Sequence, residues 1–391
     1  MDKNEAIKEL LSRRVDEVIE KDHLGEALKS GKKLRVKLGI DPTSPDLHLG
    51  HAVVLQKMKE FENLGHQIVL IIGDFTAQIG DPSGRSETRK PLSPADIKKN
   101  MKEYLAQAGK VINVKKAEIF RNNDWFSKEG IAKMIELASA TSIQQVLRRA
   151  DFKKRLDNGN DVSLLEALYP VLQGYDSVKV RADVELGGSD QKFNLLMGRR
   201  IQRHFGMKEQ DVLTVPLLEG TDGERKMSKS YGNYIGLADA PEDMFGKTMS
   251  VPDKLVHKYF TFCTAMAEAD IKKLEKELGP RDLKMRLGFE IVKSYHGGKA
   301  AEKAADMWDK LFSKKDFSGN LQELKIPFPA SVSGIVFRSG VKSKSEAWRL
   351  IQKGAVSING VVKKDPREIL QLKGGETLRI GKKNFFRIKI G

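Results

Sequence analysis

The stretch Leu34-Arg-Val-Lys-Leu-Gly-Ile-Asp-Pro-Thr-Ser-Pro-Asp-Leu-His-Leu-Gly-His51 decides how the rest of the chain is read. In its first half Val36, Leu38 and Ile40 alternate with Lys37, Gly39 and Asp41. That is the period of a strand with one apolar face and one polar or small face. The strand carries no Gly-x-Gly-x-x-Gly fingerprint after it, and the chain has no Gly-x-x-x-x-Gly-Lys-Ser/Thr phosphate loop. It runs instead into His48-Leu-Gly-His51, where a helix is expected from about His51 to Leu64, ended by Gly65. A helix N-terminus presents unpaired N–H groups and a positive dipole end, both suited to phosphate. Gly50 leaves room for a flat base or ribose, and His48 and His51 are placed to stabilise charge on phosphate oxygens in a transition state. A zinc site fits poorly, because no Glu accompanies the histidines and no Cys lies nearby.

Outward from this point, Ile68–Ile72 reads as a buried strand, and Ala117–Phe120, Ala182–Leu186 and Leu213–Leu217 as further strands with helical stretches between most of them. Alternating strands and helices predict an α/β fold, a Rossmann-like doubly wound parallel sheet. Ile7, Leu10, Leu11, Val15, Val18 and Ile19 recur at helical spacing, so the first 30 residues are expected to be helix. From Met249 to about Leu311 the pattern turns helical, and Pro327 and Pro329 mark a linker. Beyond it come a helix around Ser345–Lys353 and short strands with Asn359-Gly360 as a tight hairpin turn. The expected division is a catalytic domain over 1–246, an α-helical domain over 247–325 and a small α+β domain over 331–391.

Charge separates the two ends. The chain has 391 residues and a net charge of +16, and residues 331–391 hold 14 Lys/Arg against 4 Asp/Glu, which is +10 of it. So compact an excess favours a polyanion, most often nucleic acid, with a solvated basic face as the plain alternative. The single cysteine, Cys263, excludes an internal disulfide framework and a Cys-rich zinc site. No run approaches the ~18 apolar residues of a membrane helix. The charged N-terminus lacks a signal-peptide core, so a cytoplasmic protein is expected.

A second phosphate element is Lys226-Met-Ser-Lys-Ser230, flanked by Gly223 and Gly232: two lysines in a flexible loop supply mobile charges for a triphosphate. With His48-Leu-Gly-His51 on a parallel sheet, this pair resembles the signature of class I aminoacyl-tRNA synthetases. Gly39-Ile-Asp-Pro-Thr43, Ile79-Gly-Asp-Pro-Ser-Gly84, Tyr169-Pro-Val-Leu-Gln-Gly-Tyr-Asp176 and Gly187-Gly-Ser-Asp-Gln191 narrow the resemblance to the bacterial-type tyrosyl-tRNA synthetases. It covers essentially the whole chain. The tail is similar to the S-four RNA-binding module over Ser343-Lys-Ser-Glu-Ala-Trp-Arg-Leu-Ile-Gln-Lys-Gly-Ala-Val-Ser-Ile-Asn-Gly360.

Tyr169, Gln173 and Asp176 lie at i, i+4 and i+7 on one helix face, with Leu165, Leu168 and Leu172 on another; by spacing alone the polar stripe could equally be a surface face. The resemblance implies that Tyr169 and Gln173 meet the α-ammonium of tyrosine, Asp176 its phenol, and Asp81 the ammonium. Asp41 and Gly39 share a strand face with Lys37, which the resemblance puts under the adenylate, and Gly187, Gly188, Asp190 and Gln191 follow a strand at the sheet's carboxyl edge, where the resemblance implies that they serve ribose and carboxylate. His48, His51, Gly50, Lys226, Met227, Ser228, Lys229 and Ser230 are expected around ATP, and Arg85, Arg89 and Lys90 at the leaving pyrophosphate. Lys37 departs from the pattern, since many bacterial members carry tyrosine there; a lysine would donate to the phenol or pair with Asp176. The resemblance further implies tRNA(Tyr), L-tyrosine and ATP as partners, Mg²⁺ carried by the ATP phosphates with no protein-bound metal, and a homodimer. The rivals are tryptophanyl-tRNA synthetase, a nucleotidyltransferase and an RNA-binding protein with a dead catalytic domain.

Overall fold

A computed structural model describes residues 2–83, 93–312, 322–327, 329–381 and 384–391. The chain divides into two compact units, Met1–Ala301 and Glu302–Gly391. The first is built on six strands: β1 (Glu17–Ile19), β2 (Arg35–Ile40), β3 (Gln67–Ile72), β4 (Glu118–Arg121), β5 (Val184–Gly188) and β6 (Asp211–Val215). Their order is β1-β6-β5-β2-β3-β4, and every pairing is parallel except β1 with β6. From β2 the chain winds to β3 and β4 on one side, then returns to place β5 and β6 on the other. The strand order therefore reverses between β2 and β5, and the crevice outside their carboxyl ends is where open α/β sheets bind ligands. The expected strands all occur, displaced by no more than two residues at either end.

The N-terminus departs from the expected single helix. It folds as helix Lys3–Leu10, edge strand β1 and helix Lys21–Lys29. The break is at Arg14, whose φ of 56° lies in the left-handed region. Its buried guanidinium donates to Phe262 O at 3.1 Å and Glu60 Oε1 at 2.7 Å, which turns the chain back toward β6. Val18 then pairs with Leu213. Over so few residues, helical and strand spacings of apolar positions overlap, and tertiary pairing decides.

Helices Leu164–Lys179 and Lys192–His204 cover one face of the sheet, joining a core that includes Val69, Ile71, Val171, Leu172 and Ile201. They approach closely at Gly174, where an added Cβ would lie 2.8 Å from Ile201 Cγ1 and 3.2 Å from Met197 O. Backbone cannot yield as a side-chain tip can, so Gly174→Ala is expected to destabilise the first unit by about 1–3 kcal/mol. An unchanged midpoint in thermal unfolding would contradict this packing. Further along, the helices Pro241–Met249, Val256–Cys263, Glu268–Glu277, Pro280–His296 and Gly298–Phe312 form the helical stretch, which starts before Met249.

The second unit has a five-stranded sheet of β7 (Gln322–Ile326), β9 (Val356–Ile358), β10 (Val361–Lys363), β12 (Thr377–Ile380) and β13 (Asn384–Ile390), in the order β10-β9-β12-β13-β7. A small ladder joins β8 (Ala330–Ser331) to β11 (Ile369–Leu370). The segment just ahead of Pro327, whose residues up to 325 were expected in the α-helical domain, is a strand of this sheet, since β7 pairs parallel with β13. Helices Val332–Arg338 and Lys344–Gln352 pack Val332, Ile335, Ala347 and Ile351 onto it. Ser331 and Ser343 cap them through the N–H groups of Gly334 and Glu346. Asn359 and Gly360, at φ 48° and 82°, make the expected turn between β9 and β10.

Candidate active site

At the carboxyl ends of β2 and β5 lies a cavity of about 620 Å³. Gly39, Asp41, His48, Gly50, His51, Asp81, Tyr169, Gln173, Asp176, Gly187, Gly188, Asp190, Gln191, Lys226, Met227, Ser228 and Ser230 all line it, so one space gathers positions nearly two hundred residues apart in sequence. Arg85, Arg89 and Lys90 lie outside the described residues.

One end is built on a helix N-terminus. His48 is the N-cap of helix Leu49–Asn63, which starts two residues before the expected His51, and His51 sits in its first turn. The His48 N–H donates to His51 Nδ1 at 3.3 Å, and the two ring centroids are 3.9 Å apart. A Cβ on Gly50 would sit 3.0 Å from His48 Nδ1, so glycine keeps the histidine ring in place. Burial, then His51 and the nearby lysines, push the His48 imidazole down to about 2; burial, then Lys229 and Lys226, bring His51 down to about 4. Both rings are neutral near pH 7, so a phosphate placed here would meet them as hydrogen-bond groups rather than cations. Among the described residues the buried His48 Nδ1 has no hydrogen-bond partner, so it is open to a ligand's donor.

The cations here are the lysines. Lys226 Nζ pairs with Asp190 Oδ2 at 2.7 Å and Lys229 Nζ with Asp46 Oδ2 at 2.7 Å. Lys229 does not itself line the cavity, although its neighbours Ser228 and Ser230 do. Their loop is held by the buried Asn233, which accepts from Ser228 N at 2.8 Å and donates to Lys226 O at 3.2 Å. Beyond it, Gly236 bridges to His48, with Leu49 N donating to Ile235 O at 3.0 Å, so the lysine loop and the histidine turn are tied together.

The other end is a polar nest on helix Leu164–Lys179, whose Tyr169–Asp176 face is buried rather than a surface stripe; Leu165 instead stays exposed. Tyr169 OH donates to Asp41 Oδ2 at 2.9 Å, and Thr76 Oγ1 to Asp41 Oδ1 at 2.8 Å. Gln191 Nε2 donates to Asp81 Oδ2 at 2.7 Å, while Asn194 Nδ2 donates to both Gln173 Oε1 and Gln191 Oε1 at 3.0 Å. Asp176 accepts from Trp125 Nε1 at 3.1 Å and Asn122 Nδ2 at 3.3 Å. Burial pushes its carboxyl up to about 7, against the pull of Lys37 and of these two donors.

Lys37 corrects the sequence reading. It is fully buried and does not line the cavity; its ammonium pairs with Glu185 Oε1 at 2.8 Å rather than with Asp176. Sequence reasoning also missed Thr76, Asn122, Trp125, Asn194 and Asn233, which hold the lining residues in place. The one cue was position: Asn122 and Trp125 directly follow β4 at the sheet's carboxyl edge.

The two histidines make stability depend on acid. Unfolded imidazoles bind protons near 6.5, whereas His51 and His48 in the fold do so only near 4 and 2. Stability is therefore complete above about 6.5 and is lost as pH falls, by up to about 1.4 kcal/mol per histidine per pH unit. Asp176 acts in the opposite sense between its unfolded range and about 7. The comparison with His51→Gln isolates the imidazole: its melting temperature should fall less between about pH 7 and 5 than the parent's. Equal slopes would contradict a neutral His51.

A family model described as "tRNA synthetases class I (W and Y)" matches residues 29–313, and one described as "S4 domain" matches residues 335–376. The parallel sheet and its cavity thus belong to a class I tRNA synthetase. The chain is 46% identical over 388 residues to a tyrosine–tRNA ligase of Thermotoga maritima, covering 98% of this chain and 97% of that one. It is 45% identical over 377 residues to the tyrosine–tRNA ligase of Aquifex aeolicus, covering 96% of each. A C-terminally truncated mitochondrial tyrosyl-tRNA synthetase of Aspergillus nidulans shares the fold, with TM-score 0.67, 22% identity and coverage of 78% of this chain and 94% of that one. The chain belongs to the tyrosine–tRNA ligase family.

Proposed function

We infer that this chain activates L-tyrosine with ATP and transfers it to the 3′ end of tRNA(Tyr). The observation that carries the reading is one cavity with a phosphate-binding helix start and lysine loop at one end, and a buried Asp176 at the other. A tyrosine carboxylate oxygen attacks the α-phosphorus of ATP, an O–P bond forms, and the bond to the β-phosphate oxygen breaks as pyrophosphate leaves. A terminal ribose hydroxyl of the tRNA then displaces AMP from the tyrosyl carbonyl. No side chain has to act as nucleophile; positioning and charge stabilisation carry the catalysis.

His48 and His51 donate to phosphate as neutral rings, while Lys226 and Lys229 leave Asp190 and Asp46 for the triphosphate. Gly50, Met227, Ser228 and Ser230 shape the nucleotide end, with Arg85, Arg89 and Lys90 assigned to pyrophosphate. Gly39, Asp41, Gly187, Asp190 and Gln191 lie under ribose and carboxylate. Asp81, Tyr169 and Gln173 surround the ammonium, and Asp176 accepts the phenol hydrogen. Mg²⁺ is assigned to the ATP phosphates, as part of the substrate.

The helical stretch of the first unit is assigned to the anticodon and the S4-like unit to the tRNA backbone. Arg338, Lys342, Lys344, Arg349 and Lys353 are all exposed on or beside its helix pair. Such cations bind phosphates with little base preference. No described helix is long and apolar enough to cross a membrane, and the proposed compartment is the cytoplasm. The homodimer reading is supported by Ile131, Ile135, Ile143 and Leu164, 80%, 65%, 51% and 73% exposed on neighbouring helices, while Leu137 from the same stretch is buried in the core. Sedimentation at micromolar protein should give about twice 43.8 kDa, and a monomer alone would refute the assembly. The reading as a whole is tested by charging: radiolabelled tyrosine should become acid-precipitable on tRNA(Tyr), and labelled tryptophan should not.

A further inference from the structure

The functional reading leaves a fully buried ion pair without a task. Lys37 on β2 and Glu185 on β5 face each other in register, both are sealed from solvent, and Nζ lies 2.8 Å from Oε1. Taking two opposite charges out of water costs much of what their attraction returns, and an apolar pair of similar volume is often as stable. Stability is thus a poor account of the pair, and its neighbours supply a better one.

Lys37 Nζ donates to Gln173 O at 3.1 Å and Ser177 Oγ at 2.7 Å. Glu185 accepts from Gln173 Nε2 at 3.3 Å, from Ser177 Oγ at 3.0 Å and from Gln210 Nε2. Gln173, in the cavity wall, is therefore held by main chain and side chain together, and Asn194 fixes its other amide atom. Asp176 follows on the same helix, with its carboxylate in the same wall. The charged groups that act on it include Lys37 from β2 and Glu185 from β5, while Tyr169 on its own helix feels Asp176 together with Asp41 and Asp81. Lys37 is the cation of this set. Burial and Glu185 oppose a charged Asp176, and Lys37 favours it.

We propose that Lys37, without touching substrate, is a positioning residue that fixes Gln173 and, through its bonds to Gln173 O and Ser177 Oγ, the helix turn that carries Asp176, and so helps determine selectivity for tyrosine over phenylalanine. The inference rests on the assignment of Asp176 to the phenol. A site built to bond a hydroxyl rejects the analogue that leaves its buried polar group unpaired, a principle for which tyrosyl-tRNA synthetases are themselves the reference example. An ionised carboxylate left unpaired costs more than a neutral one, so selectivity follows the charge.

The test uses the full chain with Lys37→Met, Lys37→Gln and the charge-conserving Lys37→Arg. Melting curves are recorded beside kcat and KM for tyrosine and phenylalanine in ATP–pyrophosphate exchange from about pH 6 to 9. In the two neutral variants, KM for tyrosine near neutral pH should rise by about tenfold or more, with kcat within about threefold. The tyrosine-over-phenylalanine ratio should fall by about tenfold, and the pH below which KM for tyrosine climbs should move upward. Lys37→Arg should keep both. A folded neutral variant with the parent's selectivity and pH profile would overturn the proposal. So would loss of folding in both neutral variants with full function in Lys37→Arg, since the pair would then be structural only. A parent that does not activate tyrosine overturns the functional reading instead, which keeps the two failures apart.

Discussion

Lys229→Ala is expected to slow tyrosyl-adenylate formation by about 10²–10³-fold while leaving tyrosine affinity within about twofold. The ammonium is held on Asp46 at 2.7 Å, partly exposed, in a loop anchored at both ends. Such a half-exposed pair contributes little to stability, on the order of 1 kcal/mol or less, so it is easily exchanged for a polyphosphate. The charge matters most when negative charge builds on the leaving pyrophosphate, and an interaction stronger in the transition state than in the ground state raises the rate rather than the affinity. The proposed tyrosine end is the other end of the cavity, among Tyr169, Gln173 and Asp176. Single-turnover kinetics with tyrosine titrated at saturating ATP separates the two quantities. An unchanged rate removes Lys229 from the mechanism, and a large loss of tyrosine affinity would mean that the loop shapes the whole cavity.

Removal of the S4-like unit should act on the other reaction. The residues assigned to activation all fall between Lys37 and Ser230, whereas residues 331–391 hold +10 of the net charge. Because β7 belongs to the tail's sheet, the cut belongs ahead of Gln322, which avoids stranding a single strand. The truncated chain should form tyrosyl-adenylate nearly as fast as the parent and bind tRNA far more weakly. Each lost phosphate contact should flatten the log–log dependence of tRNA affinity on salt by about 0.7–0.9; loss of the five exposed cations of the helix pair would amount to several powers of ten at low salt. Thermal unfolding of the truncated chain guards against misfolding. A folded truncation with unchanged affinity and salt slope makes the basic tail a solvated face.

What could be read in advance follows from how local each signal is. The strand Arg35–Ile40, the histidine turn after it and the Asn359-Gly360 hairpin depend on neighbours within a few residues, and the structure has all three. Parallel order followed from the alternation of strands and helices, and it alone located the cavity edge. The supports were not legible: Asn122, Trp125, Asn194 and Asn233 matter through contacts across long stretches of chain, for which no spacing rule exists. Lys37 shows the same limit from the other side. It was placed with Gly39 and Asp41 on one strand face, but its partner was set by the register of β2 against β5, which brings Glu185 to it before Asp176. At the N-terminus, Val18 and Ile19 fit a helix by spacing and were claimed by β6 instead.

The most direct measurement of the central claim is amino-acid-dependent ATP–pyrophosphate exchange with purified full-length protein and labelled pyrophosphate. The account predicts exchange that requires tyrosine, is at most marginal with phenylalanine or tryptophan, and is lost in Lys229→Ala. Exchange driven by tryptophan rather than tyrosine, or none with any amino acid from a folded protein, would contradict it.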